Sequence, residues 1–392
     1  MKKNSKRIIA IVTLVSAILL LTAFIQKYMC LPLEHNEARL FDFHKEAEDS
    51  LDVILLGSSP TYHSFSSVYA YEQFGFTSYP YTLAGSACTM WKPAMKDILS
   101  RQHPKLVVVD VFGGGYELDY LRTRTYSLFI IMNNTKYTPD KIKTALELEE
   151  RTDGESALVY LFPLIKYHNN IPDALMNVSD RMRIELSKSA SPLKGSYLQS
   201  KAMPLGKVEP FTFTEETLPL DKSTEDVILD FIDYCTSEDV KLLFVKYPSV
   251  IAPDDEDEIG VDLRSNRILE IAREKGCHTL NLQKRFYDIG LIENEDFQNR
   301  GHVNIRGQLK ITEYLGRYLQ EEMDIQATQL NALQKKAWDD TILYYDAYVK
   351  LNEYLISNEQ AVELNDYLDL QDDLKDIIDG TEIETVAKRF SK

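Results

Sequence analysis

The most strongly patterned stretch of the chain is residues 8–25, eighteen positions without a charge and with only Thr13, Ser16 and Thr22 polar. As a helix it would be about 27 Å long, close to the hydrocarbon thickness of a bilayer. Lys2, Lys3, Lys6 and Arg7 precede it. That basic lead predicts a single-pass anchor with a cytoplasmic N-terminus and the remainder outside the cell membrane. A cleaved signal peptide is the alternative, but its apolar core runs about 7–15 residues, and no A-x-A site follows here. Lipidation at Cys30 is disfavoured, because Lys27, Tyr28 and Met29 are not the small residues of a lipoprotein signal.

Beyond a polar stem, short apolar runs alternate with helix-like stretches. Runs at 51–57, 77–83, 105–112, 241–247 and 278–282 read as strands, most of them closed by Gly or Pro. Helices are expected at about 88–100, 223–237, 263–276 and from Asn304 to about 322. Strands apolar on both faces and alternating with helices indicate an α/β fold, a parallel sheet with helices on both faces. Ligands of such sheets bind beyond the carboxyl ends of the strands, here just after Leu56, Leu83, Phe112, Tyr247 and Leu282. Residues 116–222 show no firm period. After 325 no strand-like run occurs, and Trp338, Leu343, Tyr345, Tyr348, Leu351 and Leu355 recur at helical spacing. That stripe is expected to pack on the main domain, with partner binding as the alternative. The expected organisation is a leader and anchor over 1–30 and a stem over 31–50. An α/β domain follows over 51–324, with an irregular insertion at 116–222, and then an acidic helical tail over 325–392.

Charge narrows the function classes. The 392 residues carry a net charge of −17, and the first 27 are basic, so the rest is more acidic still. Such a surface repels phosphate backbones and excludes nucleic acid as a partner class. The cysteines Cys30, Cys88, Cys235 and Cys277 are scattered without a CxxC spacing, so neither a zinc site nor a disulfide framework is expected.

Candidate chemistry concentrates at two strand edges. In Leu55-Leu-Gly-Ser-Ser-Pro60, Gly57 permits a tight turn and Pro60 suits the first turn of a helix. Ser59 would then project its hydroxyl into the ligand crevice, beside helix N–H groups able to bind an oxyanion. The plainer alternative is that Ser58 or Ser59 caps the helix. His302, in the loop before the last helix, falls at the same sheet edge and could accept the serine proton. His63, four residues after Ser59, and Asn304 could contact substrate.

Gly57-Ser58-Ser59 early and His302-Val-Asn-Ile-Arg-Gly307 late resemble the SGNH (GDSL-type) hydrolase-like superfamily. The nearest resemblance is to its membrane-anchored bacterial branch, which includes the teichoic-acid D-alanine transfer protein DltD and alginate acetyltransferase-like proteins. It covers roughly residues 50–320, including Asp110, 162–168 and Lys246-Tyr-Pro248. The resemblance implies a flavodoxin-like sheet, Ser59 as nucleophile and His302 as general base. It also implies covalent acyl transfer without metal or organic cofactor.

The chain departs from the family pattern in three places. Asn299 stands where the superfamily has Asp in D-x-x-H, although its carbonyl can still orient His302. Asp296 is an alternative carboxylate at the wrong spacing. Thr82 replaces the usual oxyanion Asn, leaving the main-chain N–H groups of Ser59 and Gly85 as the donors, and the third block's Asn is absent before Gly113. Two functions follow from the sequence. One is an exported acyltransferase or esterase acting on a cell-envelope polysaccharide or teichoic acid-like acceptor, alongside a membrane-bound O-acyltransferase. The other is a catalytically inactive envelope binding or assembly protein.

Overall fold

The computed structural model describes residues 2–29, 35–176, 178–186, 190–196, 213–360 and 369–390 of the 392. Its first helix, α1 (Lys2–Met29), contains Lys6–Met29, which is long and apolar enough to cross a membrane. The apolar side chains of α1 from Ile8 to Phe24 are exposed, so no packing within the described residues accounts for their hydrophobicity. Cys30 lies outside the described residues.

Residues 35–50, in the segment expected as a polar stem, pack into the folded body. Helix α2 (His35–Phe43) buries Leu40 and Phe43, and Tyr79 donates its hydroxyl to Arg39 O at 2.8 Å. Glu46 pairs with Lys194 at 2.8 Å with both side chains buried. The apolar positions there are too few and too closely set to register as a period against the acidic residues around them.

The sheet is built in chain order from short apolar segments. Strand β1 (Val53–Gly57) leads into α3 (Ser59–Ser64) and α4 (Ser67–Phe74), then β2 (Ser78–Thr82), α5 (Trp91–Leu99) and β3 (Leu106–Asp110). Residues 116–222, irregular in sequence, hold seven helices among the described residues. These are α6 (Leu118–Thr123), α7 (Tyr126–Asn134), α8 (Pro139–Arg151), α9 (Ala157–Leu161), α10 (Leu164–Tyr167), α11 (Ile171–Met176) and α12 (Val178–Leu186). The alternation then resumes with α13 (Lys222–Ser237), β4 (Leu242–Lys246), α14 (Glu256–Glu274) and β5 (His278–Asn281). All four strand pairings are parallel, in the order β2-β1-β3-β4-β5. This is the flavodoxin-like order, whose switch point lies between β1 and β3.

Alternate side chains of β1 bury on opposite faces. Ile54 and Leu56 join Trp91, Met95, Phe231 and Ile268, whereas Val53 and Leu55 join Ala70, Ile311 and Leu315. The first group brings α5, α13 and α14 onto one face. The second brings α4 and α15 (Ile305–Glu321) onto the other.

The segment before α15 is a hairpin rather than an open loop. Strand β6 (Phe297–Asn299) pairs antiparallel with β7 (His302–Val303), setting Asn299 opposite His302.

The tail forms α16 (Ala332–Ser357), α17 (Asp369–Ile378) and α18 (Ile383–Ala387), with α16 packed on α4 and α15. Trp338, Tyr345, Tyr348, Leu351 and Leu355 are buried as the stripe requires, but Leu343 is 58% exposed. The tail also reaches the site helix. Tyr345 donates to Gln308 Oε1, and Gln308 Nε2 donates to the carbonyls of Tyr62 and His63.

Candidate active site

The turn after β1 is held by a buried carboxylate. Asp110, at the end of β3, accepts hydrogen bonds from Ser58 Oγ and Thr61 Oγ1, each at 3.2 Å, and from Phe112 N at 3.0 Å. Burial pushes its carboxyl up to about 6, the hydrogen bonds acting in the opposite direction. Asp110 can approach this closely because position 57 has no side chain. A Cβ on Gly57 would lie 2.5 Å from Asp110 Cβ. Gly57→Ala is therefore expected to cost about 1–3 kcal/mol of stability through overpacking, read as a lower urea midpoint. An unchanged midpoint would mean that the turn relaxes freely.

Neither serine of the turn caps α3. Ser58 holds the N-cap position without a side-chain cap bond, its hydroxyl being committed to Asp110. Ser59 begins the helix, and its Oγ lies 2.8 Å from His302 Nε2. On the other side of the ring, His302 Nδ1 lies 2.9 Å from Asn299 Oδ1. Gly301 N also donates to Asn299 Oδ1, at 3.0 Å. That second donor fixes the amide with its oxygen toward the ring. His302 therefore carries its proton on Nδ1, and Nε2 accepts from the Ser59 hydroxyl. Burial pushes the imidazole down to about 4, so it is neutral at pH 7.

The structure brings Ser59, His302 and Asn299 into one hydrogen-bonded line and gives Asp296, Asn304 and His63 other roles. Asp296 does not supply the missing carboxylate: it is buried, pairs with Lys310 at 2.7 Å and accepts from Ile292 N. Asn304 is fully buried and caps α15 through Arg306 N and Gly307 N, so it is a helix cap and not a substrate contact. His63 is also buried. Its ring packs against that of His302 at 4.6 Å, and its Nδ1 lies 2.9 Å from Gln298 Nε2. It backs the base. In both cases the side-chain direction was set by tertiary packing that spacing does not reveal.

The loop after β2 lies against this turn, with Leu83 N and Ser86 Oγ both donating to Gly57 O. Gly85 takes a left-handed conformation there, with φ +63. Arg124 Nη1 lies 3.6 Å from where a Gly85 Cβ would stand, and its guanidinium stacks on Tyr120. No sequence signal marks Arg124.

A cavity of about 450 Å³ adjoins the pair at the carboxyl ends of β1, β3 and β4. Pro60 and Gly301, chain neighbours of Ser59 and His302, form part of its wall, with Phe112, Tyr116, Tyr120 and Arg300. A buried ion pair, Lys246 to Asp262 at 2.5 Å, closes one side. Burial lowers the Lys246 ammonium, while Asp262 counters that shift. Among the described residues no His, Cys, Asp and Glu cluster could hold a metal ion.

No family model and no curated protein sequence matches the chain. Among solved structures, the chain is similar to one of a G-D-S-L family protein from Desulfitobacterium hafniense DCB-2. The TM-score is 0.33 and the identity 9%, over 68% of this chain and 97% of that one. The α/β assignment stands on this chain's own sheet order.

Proposed function

We propose that the protein is a membrane-tethered, SGNH-type serine acyltransferase or esterase. The observation that carries this reading is the Ser59 Oγ to His302 Nε2 contact at 2.8 Å, with Nε2 unprotonated. His302 accepts the hydroxyl proton as Ser59 Oγ attacks an acyl carbonyl. The main-chain N–H groups of Ser59 and Gly85 are the donors assigned to the developing oxyanion. Collapse of the tetrahedral species expels the leaving oxygen, which takes the proton from His302 and leaves an ester on Ser59. An acceptor hydroxyl, or water, then gives its proton to His302 and takes the acyl group, and the departing Ser59 oxygen recovers that proton from His302.

The aromatic wall of Phe112, Tyr116 and Tyr120 suits a sugar ring, which supports a cell-envelope polysaccharide as acceptor. The acidity of the chain disfavours a polyanionic, teichoic acid-like polymer. A membrane-bound O-acyltransferase would be the acyl source. Reaction of the full-length protein with a fluorophosphonate probe tests the nucleophile. Labelling supports the reading, and a folded protein that never labels overturns it. Asn299 in place of a carboxylate favours a second reading, a binding or assembly protein that has kept the crevice, and this is the outcome that absence of labelling would support.

The anchor makes its own prediction. A C-terminally tagged chain is expected at full length in the membrane fraction, open to external protease once the wall is removed. Recovery of a soluble, N-terminally shortened form would show instead that 8–25 is cleaved.

A further inference from the structure

Outside α1, the exposed large apolar side chains are unevenly placed. Nine of the fifteen among the described residues lie between Tyr137 and Leu186, including Leu158, Phe162, Ile165, Leu175 and Met176. Soluble surfaces rarely gather apolar side chains in this way without something to cover them.

The same segment grips the end of α1. Gln26 Nε2 donates to Tyr137 Oη at 2.8 Å and to Leu161 O, and Arg181 Nη1 donates to Lys27 O at 2.7 Å. Arg181 is itself buried and sits where a cation suits the carbonyl end of a helix. Helices α11 and α12 pack on α1 as well. The side chains of α1 change from exposed to covered at Ile25 and Gln26, where the apolar run of the sequence ends. The folded body therefore starts where the hydrocarbon core would stop, and the segment that holds this point is the one rich in exposed apolar side chains.

We propose that the surface formed by residues 137–186 around the end of α1 is a membrane-docking collar. Its apolar side chains enter the interfacial zone of the leaflet from which α1 emerges, and the occupant is lipid. Continuity with α1 supports lipid over a protein partner, because the patch begins at the helix residues that leave the bilayer. Ring packing of Tyr137 with Phe162 at 6.4 Å, and the Tyr137 Oη to Leu161 O hydrogen bond, join α9 to the segment before α8 in one face. Short helices with one apolar side lie in the plane of an interface in this manner. The function of such a collar would be to fix the orientation of the sheet edge that carries Ser59 relative to the membrane. The inference rests on α1 spanning the bilayer.

The test uses full-length protein in single-chain nanodiscs whose lipid tails carry bromine, with emission of introduced tryptophans as the readout. Trp91 and Trp338 are buried and supply a constant background. Phe162→Trp and Met176→Trp replace exposed side chains, at 43% and 74%, so the fold should tolerate both. Leu19→Trp reports the anchor and Leu343→Trp the tail. Bromolipid is expected to quench Phe162→Trp, Met176→Trp and Leu19→Trp, and to leave Leu343→Trp unchanged. Quenching of Leu19→Trp without quenching of Phe162→Trp or Met176→Trp would overturn the collar and leave the anchor standing. No quenching at Leu19→Trp would overturn the anchor, and the collar with it. Shielding of the two collar positions from aqueous acrylamide without bromolipid quenching would mean that protein covers the patch, and would equally overturn lipid as the occupant.

Discussion

Ser59→Ala is expected to abolish fluorophosphonate labelling and to lower ester turnover by roughly 10⁶-fold, toward the level that binding and oxyanion donors alone sustain. The size of the loss follows from the geometry. Ser59 Oγ is the only hydroxyl placed on His302 Nε2 among the described residues, and Ser58 cannot substitute because Asp110 holds its hydroxyl away. The Ser59 hydroxyl holds no fold-defining contact in the turn, where capping and clamping fall to Pro60, Asp110 and Thr61. Its loss should therefore leave the unfolding midpoint within about 0.5 kcal/mol of wild type, as for a surface change. His302→Ala should lower labelling by a comparable factor, because an unassisted serine hydroxyl is a poor nucleophile at neutral pH. The measurement is labelling rate and small-ester hydrolysis in wild type and both variants, with urea unfolding as the control. A Ser59→Ala protein that still labels would place the nucleophile elsewhere and end the present assignment.

Some of this arrangement was legible in the chain and some was not. The strands were readable because runs such as 105–112 and 241–247 hold consecutive apolar residues, Leu106–Val109 and Leu242–Val245, and are closed by Gly or Pro. Ser59 and His302 were readable as a pair because parallel topology delivers every strand-end loop to one edge. The helices of 116–222 were not, since most span fewer than ten residues and show too few turns for a 3.6-residue period to emerge. Asp110 was visible as a residue at a strand end, but not as a clamp on the β1 turn. That role depends on the absence of a side chain at Gly57, 53 positions earlier in the chain, and on the β1–β3 pairing. His63 was placed on the correct element yet faces the interior, because helix phase decides direction and a one-residue change of phase moves a side chain by about 100°, whereas Asn304 turns inward to cap α15.

Asn299→Asp is expected to raise ester turnover and to move the acid limb of the pH profile upward. In the present site His302 has no carboxylate on its ring, and burial holds it at about 4. Activity of the free enzyme requires the neutral imidazole, so it is present above that value and is lost as pH falls through about 4. A carboxylate at position 299 would favour the imidazolium and carry the limb back toward the ordinary histidine value of 6.5. The same attraction stabilises the imidazolium that forms as Ser59 attacks. The reverse change in a serine-protease triad costs about 10⁴ in rate, which sets the ceiling on the gain. Asp296 takes nothing from that ceiling, since its carboxylate is committed to Lys310. Part of the gain is already realised, because the amide oxygen of Asn299 fixes the tautomer and the ring orientation. The substitution should be accepted structurally, because both hydrogen bonds at Asn299 Oδ1 come from N–H donors, His302 Nδ1 and Gly301 N, and a carboxylate oxygen accepts both. Turnover and kcat/KM measured against pH for wild type and Asn299→Asp separate the possibilities. A raised limb with higher turnover is the expected result. A raised limb with unchanged turnover would place the slow step after acyl transfer. An unmoved limb would show that position 299 does not face the ring in solution, and would remove the geometric basis for treating Asn299 as the third member of the site.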